Sequence, residues 1–164
     1  MPTRPSAPLY TADERQRRDA SPWTLVQGVL APVQFLVFLV SLGLVLRYLA
    51  SGEGLQAAAW SVVAKTGVLY TIMVTGCIWE KAVFGVWLFA PAFFWEDVVS
   101  IGVLVLHTAC LVAMATGGLG PRAQMLLALA AYTAYVVNAV QFVLKLRAAR
   151  RQEAAVPPTA QVPA

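Results

Sequence analysis

The sequence predicts an all-α integral membrane protein whose four transmembrane helices form a bundle. Its 164 residues are 59% hydrophobic, and a mean hydropathy of +0.69 is too apolar for a soluble domain of this length. A helical span needs about 20 apolar residues, so the chain has room for about four. From the apolar runs, the spans are expected at about 25–49, 57–79, 95–116 and 122–146.

Two polar tails flank the predicted membrane domain of residues 25–146. Residues 1–24 are Pro-rich. Their start is expected to be disordered, and Arg15–Asp19 is expected as a short interfacial turn or helix. Residues 147–164 are basic and then rich in Ala and Pro, which is typical of disorder. The first apolar run is too long for a signal peptide. Because Arg and Lys concentrate in both tails, both termini are expected in the cytoplasm, and the basic charge indicates membrane orientation rather than nucleic-acid binding.

The segment Trp79–Asp97 is the most unusual part of the chain. It holds three of the five Trp, four of the seven Phe and three of the eight acidic residues. Its apolar part, Lys81–Phe94, is too short for a span and is expected as an interfacial or re-entrant aromatic segment between the second and third spans. Pro91 is expected in the first turn of the next helix. We expect the segment to form one wall of a site for a flat apolar molecule, although interfacial Trp and Phe are also ordinary membrane anchors.

Polar side chains within the spans cluster toward the cytoplasmic side. Counting inward from the cytoplasmic ends places four of them at nearly one level, roughly 12–15 Å deep. These four residues are Gln34, Tyr70, His107 and Asn138. Lys65 lies near the other side, where its long side chain is expected to reach the interface. Such stripes should face inward, either as interhelical hydrogen bonds or as parts of a site.

Four segments of the chain resemble one known family. They are PWTLVQGVLAPVQFLVFLV at 22–40, YTIMVTGCIWEKAVFG at 70–85, LFAPAFFWEDV at 88–98 and YVVNAVQFVLKLRAAR at 135–150. Together they resemble the vinyl (bacterio)chlorophyllide hydratase family over about residues 9–150. The resemblance implies a small membrane lyase of bacteriochlorophyll biosynthesis, which converts the 3-vinyl group (2-vinyl in the older numbering) of chlorophyllide a or bacteriochlorophyllide to a 1-hydroxyethyl group.

The resemblance also implies a location and partners. The expected location is the bacterial inner membrane, cytoplasmic or intracytoplasmic. The expected partners are a chlorophyllide-type Mg-tetrapyrrole substrate, membrane lipid and other enzymes of the pigment pathway, with no nucleic acid. No cofactor is expected, because the macrocycle itself can delocalise the charge of a cationic intermediate.

Hydration of a vinyl group needs a general acid, a group that orients water, and a dry site. We select Glu96 as the acid because it shares a helix face with Ser100 and His107. Asp97 points about 100° away from Glu96 on a helix, so it is expected to face water or Lys81. Desolvation beside aromatic rings would favour a protonated carboxyl group, as the role of an acid requires.

His107 has two alternative roles, either as an axial ligand to the magnesium of the substrate or as a group that holds water. Glu96 and His107 are about 16 Å apart along a helix, so one substrate pose cannot combine metal ligation by His107 with protonation by Glu96. The vinyl group therefore contacts either the carboxylates near the surface or the polar groups of the deeper level. With the vinyl group at the deeper level, the propionate of the substrate could bind Lys145 or Arg147. No metal site of the protein itself is predicted.

The predicted site has two sets of residues. The catalytic set is Glu96, Asp97, Glu80 (the second candidate acid) and His107. The substrate-binding set is Trp79, Phe89, Phe93, Phe94, Trp95, Ser100, Tyr70, Asn138, Gln141 and Lys145. The main alternative function is a non-enzymatic tetrapyrrole carrier or assembly protein, which would not need the acid. A haem electron carrier is disfavoured because a single His cannot supply two axial ligands.

Overall fold

The computed structural model describes residues 8–154 and shows five helices and no strand in this range. The helices are α1 Ala12–Ala20, α2 Pro22–Ser51, α3 Leu55–Phe84, α4 Phe94–Thr116 and α5 Pro121–Ala154. Helices α2 to α5 are each long and apolar enough to cross a membrane. These features confirm the predicted all-α protein with four spans. The disorder predicted for residues 1–7 and 155–164 lies outside the described residues.

Local sequence signals fix where several helices begin and end. Thr11 and Glu14 cap each other's backbone N–H at the start of α1, and this capping box satisfies donors that a helix start leaves free. The side chain of Ser21 accepts the N–H of Trp23 at the start of α2. Gly85 ends α3 with a φ of 81°, a left-handed conformation that glycine adopts without steric cost.

Three predicted boundaries differ from the structure. Helix α3 continues to Phe84, so only residues 85–93 connect it to α4. Pro91 lies in a turn before α4 rather than in its first turn. Helix α5 continues to Ala154, so the disorder predicted from residue 147 is wrong for residues 147–154. This last part of α5 is held by the N-terminal segment, because Arg18 donates to Glu153 over 2.8 Å.

The four long helices form two antiparallel hairpins, α2–α3 and α4–α5, that pack side by side. We call the end with α1, the 85–93 loop and the last turns of α5 the loop end. The opposite end carries the turns 52–54 and 117–120. Gln27 joins the first hairpin by donating to Thr75 over 2.8 Å, and Asn138 joins the second by donating to Ser100 over 2.8 Å.

A cluster of polar side chains occupies the middle of the bundle. Lys65 is 0% exposed, and its Nζ lies 3.0 Å from Nε2 of His107 and 3.9 Å from the ring centre of Tyr135. Beside this pair, the hydroxyls of Ser41 and Tyr132 are 2.5 Å apart. The prediction that Lys65 reaches the interface is therefore wrong. Lys65 is the eleventh residue of α3, about 15 Å from its start at 1.5 Å per residue, which is half of a bilayer core of about 30 Å.

This arrangement gives a stability prediction for Lys65. Burial of an amine without a carboxylate partner is costly, and an apolar side chain of similar volume is often neutral or stabilising there. Lys65→Met should therefore leave the purified protein as stable as the wild type or up to about 3 kcal/mol more stable. Thermal unfolding in detergent, followed by circular dichroism, measures this difference.

Lys65→Ala is the matched control, since it removes the same amine and also leaves a cavity. It should be about 2 kcal/mol or more less stable than Lys65→Met. A Lys65→Met variant that unfolds well below the wild type would show that the bond to His107 and the contact with Tyr135 outweigh the cost of burial.

Candidate functional site

Two carboxyl groups from different hairpins meet at the loop end. Glu80 lies in the last turns of α3 and is 5% exposed, and Asp97 lies in the first turn of α4 and is 4% exposed. Their carboxyl groups accept from the successive N–H groups of Phe89 and Ala90, so the two groups lie close together. Two ionised carboxylates repel each other in a site with little water, so such a pair favours keeping one proton. The pair is thus arranged to hold one transferable proton in a site that is almost closed to solvent.

The 85–93 loop is bound to this pair through its backbone. The N–H of Phe89 donates to Oδ2 of Asp97 over 2.8 Å, and the N–H of Ala90 donates to Oε2 of Glu80 over 3.1 Å. Phe89 has a φ of 60°, the only positive φ of a non-glycine residue in the described range. This left-handed conformation costs about 1 kcal/mol or more, and it turns two successive N–H groups toward the acids, as in an anion-binding nest.

The third carboxylate of the segment has a different partner. Glu96 accepts from Nζ of Lys145 over 2.5 Å, and both side chains are largely buried. A carboxylate that accepts from an ammonium group has no proton to give in this arrangement. Asp97 does not face water or Lys81 as predicted, because it is buried and accepts from the N–H of Phe89, while Lys81 donates to the carbonyl of Gly85. Of the three carboxyl groups, Glu80 and Asp97 rather than Glu96 are therefore arranged to keep a transferable proton.

The predicted aromatic wall divides into two sets. The buried set packs at the loop end, with the ring of Phe93 as its centre. Ring centroids lie 5.6 Å from Phe93 to Trp79, 5.8 Å to Phe84 and 6.0 Å to Phe142. Trp79 also donates to Thr24 of α2 over 3.0 Å. This buried aromatic set fixes the loop against three of the four long helices.

The exposed aromatic set is formed by Phe89, Phe94 and Trp95, whose rings contact each other in sequence. Trp95 is 71% exposed. These rings face outward at the end of the bundle, where they are free to contact lipid or an apolar ligand. The single wall that the sequence predicts is therefore divided into a buried set and an exposed set.

The N-terminal segment covers the buried aromatic set. Tyr10 is 4% exposed, stacks on Phe84 at 5.8 Å and lies under the guanidinium of Arg18 at 4.8 Å. Burial raises the pKa of Tyr10 to about 12, and Arg18 opposes this shift. Next to it, an open cleft of about 430 Å³ lies between the N-terminal segment and the loop. It is lined by Pro8, Leu9, Glu14, Phe84, Pro91 and Ala92.

His107 lies apart from the carboxyl pair. Its Nδ1 is 2.8 Å from the carbonyl of Val103, so Nδ1 carries the proton and Nε2 accepts from Lys65. Both ring nitrogens are thus occupied, and the residue is 1% exposed. An axial bond from His107 to a substrate metal would require Lys65 to leave. In residues 8–154 no group of three or more His, Cys, Asp or Glu residues is suited to hold a metal ion.

The predicted common level of polar groups is not observed. Asn138 pairs with Ser100, about two turns closer to the loop end than His107. The predicted depth of Asn138 assumes that its helix ends at residue 146, whereas α5 continues to Ala154. Tyr70 is 36% exposed and pairs with Thr108 instead of the interior. Gln141 lies one turn from Asn138, and its buried Oε1 has no protein partner in the described range.

Sequence reasoning missed several residues of this end. Phe142 lies four residues after Asn138 and three before Lys145, so the helical spacing of that face could have identified it. Tyr10 lies outside every apolar run, and its local sequence gave no signal. The partner of Lys65 was also missed, because periodicity assigns a residue to a face and not to a neighbour.

Comparisons with known proteins identify the family. The family described as 2-vinyl bacteriochlorophyllide hydratase (BCHF) matches residues 10–148. A 2-vinyl bacteriochlorophyllide hydratase of Cereibacter sphaeroides is 65% identical over 156 residues, which cover 92% of this chain and 95% of that protein. The protein of the same name from Rhodobacter capsulatus is 62% identical over 158 residues, which cover 94% and 92%. No solved structure matches the chain significantly. The chain therefore belongs to the 2-vinyl bacteriochlorophyllide hydratase family.

Proposed function

We propose that this chain is a hydro-lyase that adds water to the vinyl group of a bacteriochlorophyllide and forms a 1-hydroxyethyl group. Membership of the family, at 62% identity or more to two relatives with that name, carries this conclusion. The buried carboxyl pair supports it, because protonation of a vinyl carbon needs an acid kept away from bulk water. The substrate is accordingly a tetrapyrrole.

The Glu80–Asp97 pair supplies the proton in this proposal. The proton goes to the terminal vinyl carbon, and the positive charge develops on the carbon next to the ring, where the macrocycle delocalises it. Water then bonds to that carbon, and its extra proton returns to the pair, which ends in its starting state. The loop N–H groups of Phe89 and Ala90 stabilise the pair while it carries the negative charge.

The loop residues next to the pair offer a place for the flat ring of the substrate. The cleft beside Pro91 and Ala92 and the exposed aromatic set at Phe89 both border this loop. Aromatic faces stack on flat apolar rings at about 4.5–7 Å between centroids. Lys145, which already balances the charge of Glu96, is one cation that a substrate carboxylate could use.

The first test is incubation of membranes containing the expressed protein with 2-vinyl bacteriochlorophyllide or chlorophyllide a. A product heavier by one water, absent from control membranes, is expected together with an absorption shift from the loss of vinyl conjugation. Pigment that binds but stays unchanged would favour the carrier function instead. Absence of both binding and product in folded protein would contradict either function.

The acid assignment predicts the effect of two conservative substitutions. Glu80→Gln and Asp97→Asn keep an oxygen that accepts the loop N–H but cannot donate the catalytic proton. Each should lower kcat by about 100-fold or more, the usual contribution of general acid catalysis. Turnover of the purified variants, normalised to folded protein, measures the loss.

Two other acid-to-amide changes serve as controls for this prediction. Glu96→Gln leaves Lys145 without its partner and should cost no more than about tenfold, since it removes no transferable proton. Glu53→Gln alters an exposed acid at the opposite end and should have no effect. A larger loss in Glu96→Gln than in Glu80→Gln and Asp97→Asn would return the acid role to Glu96.

We also propose that both termini lie in the cytoplasm and that the chain resides in the bacterial inner or intracytoplasmic membrane. The loop end carries most of the basic residues of the described range, namely Arg15, Arg17, Arg18, Lys81, Lys145, Arg147, Arg150 and Arg151, against Arg47 and Arg122 at the opposite end. Positive charge marks the cytoplasmic side. Contact with other enzymes of the pigment pathway remains a prediction.

A reporter-fusion experiment tests this topology. Alkaline phosphatase, which folds only outside the cytoplasm, should be active when inserted at Gly118 and inactive when fused to the C-terminus. A green fluorescent protein should show the reverse pattern. Phosphatase activity at the C-terminus would contradict the proposed orientation.

A further inference from the structure

Three amide side chains between the carboxyl pair and the central cluster have buried atoms without protein partners in the described range. Gln34 is 2% exposed, and neither Nε2 nor Oε1 makes a hydrogen bond to the described part of the chain. Asn138 is 9% exposed, and its Oδ1 is unpartnered, as is Oε1 of Gln141. Buried amides without partners are costly, so such groups ordinarily bind water or a ligand.

The contacts of neighbouring residues place Gln34 and Asn138 at one level, and Gln141 lies one turn closer to the loop end. The rings of Phe38 and Tyr135 lie 5.0 Å apart. Gln34 is one turn from Phe38 toward the loop end, and Asn138 is nearly one turn from Tyr135 in the same direction. Because α2 and α5 are antiparallel, Gln34 and Asn138 occupy the next layer of this interface.

This layer lies next to the proposed acid. Asn138 donates to Oγ of Ser100, and Ser100 follows Asp97 by three residues on the same face of α4. The rise between them is about 4.5 Å. The hydroxyl hydrogen of Ser100 and the amide of Gln34 can donate, whereas the free oxygens of the three amides can accept. A buried water typically makes two to four such bonds, so the layer offers what a water molecule needs.

We propose that Gln34, Asn138, Gln141 and Ser100 form the binding site for water, the second substrate of the reaction. This inference rests on the proposed function and deepens it. The proton from Glu80–Asp97 first bonds to the terminal vinyl carbon. The oxygen of the bound water then bonds to the cationic carbon next to the macrocycle. The water loses one proton to the carboxyl pair, so the sum is addition of one H₂O with no oxidation or reduction.

Turnover in D₂O distinguishes a variant that has lost the water site from a variant that has lost the acid. A deuterated acid adds deuterium to the terminal carbon, and if water does not attack, loss of H⁺ from the new methyl group returns a deuterated vinyl substrate. Gln34→Met should lower formation of the hydroxyethyl product at least tenfold, while recovered 2-vinyl bacteriochlorophyllide gains deuterium. Asp97→Asn should lose both hydration and exchange. Mass spectrometry of product and recovered substrate measures the two rates.

The controls keep this test independent of folding. Gln34→Met removes no hydrogen bond to protein, so its yield and thermal unfolding should match the wild type, and Asn138→Leu is a second variant on the opposite helix. Gln27→Met is the matched control, because that amide already bonds to Thr75 outside this layer and its exchange-to-hydration ratio should equal that of the wild type.

Two results would overturn the water site. One is unchanged hydration in Gln34→Met and Asn138→Leu. The other is a fall of hydration and exchange in equal proportion, which marks a structural role. A wild-type protein that forms no hydroxyethyl product would instead overturn the proposed function itself.

Discussion

The two hydrogen bonds from the loop backbone to Glu80 and Asp97 join the halves of this molecule at its loop end. Glu80 belongs to the hairpin α2–α3 and Asp97 to the hairpin α4–α5, and only residues 85–93 connect them. The pair carries one negative charge on its two carboxyl groups, and hydrogen bonds to a charged acceptor are roughly twice as strong as neutral ones. This offsets the energetic cost of the left-handed backbone of Phe89. With the loop held in this way, Phe93 enters the buried aromatic set, and the acids are shielded from solvent.

A second polar layer at Lys65 and His107 lies too far from the acids to neutralise them. Fifteen residues of α3 separate Lys65 from Glu80, which is about 22 Å along the helix. The amine is instead satisfied by an imidazole nitrogen and the face of Tyr135. An ionisable residue in a membrane interior usually has a functional role. Because Lys65 lies this far from Glu80 and Asp97, it does not take up the proton that the carboxyl pair holds. The bundle thus keeps acid, amides and amine in successive layers.

The sequence was sufficient to predict the four spans, and the family resemblance of its four segments is confirmed by the family match. It also placed the acids at one end of the bundle. It could not identify the partners of the residues on that helix face. Glu96 binds Lys145, Ser100 binds Asn138, and His107 binds Lys65, although all three share one face of α4. Helical periodicity reports direction, whereas partners depend on how far each neighbouring helix extends, and the extra turns of α3 and α5 changed that register.

The aromatic density of the 85–93 loop and its flanks follows from the two tasks that the structure assigns to this short segment. Rings turned inward, those of Trp79, Phe84 and Phe93, hold the loop so that its N–H groups remain aimed at the acids. Rings turned outward, those of Phe89, Phe94 and Trp95, leave an apolar surface directly beside the same acids. A cation formed on a flat macrocycle needs both features, because water must be excluded from the acid and still reach the cation from another direction. In the proposed water site, the unpartnered amides on the interior side of the pair provide that second direction.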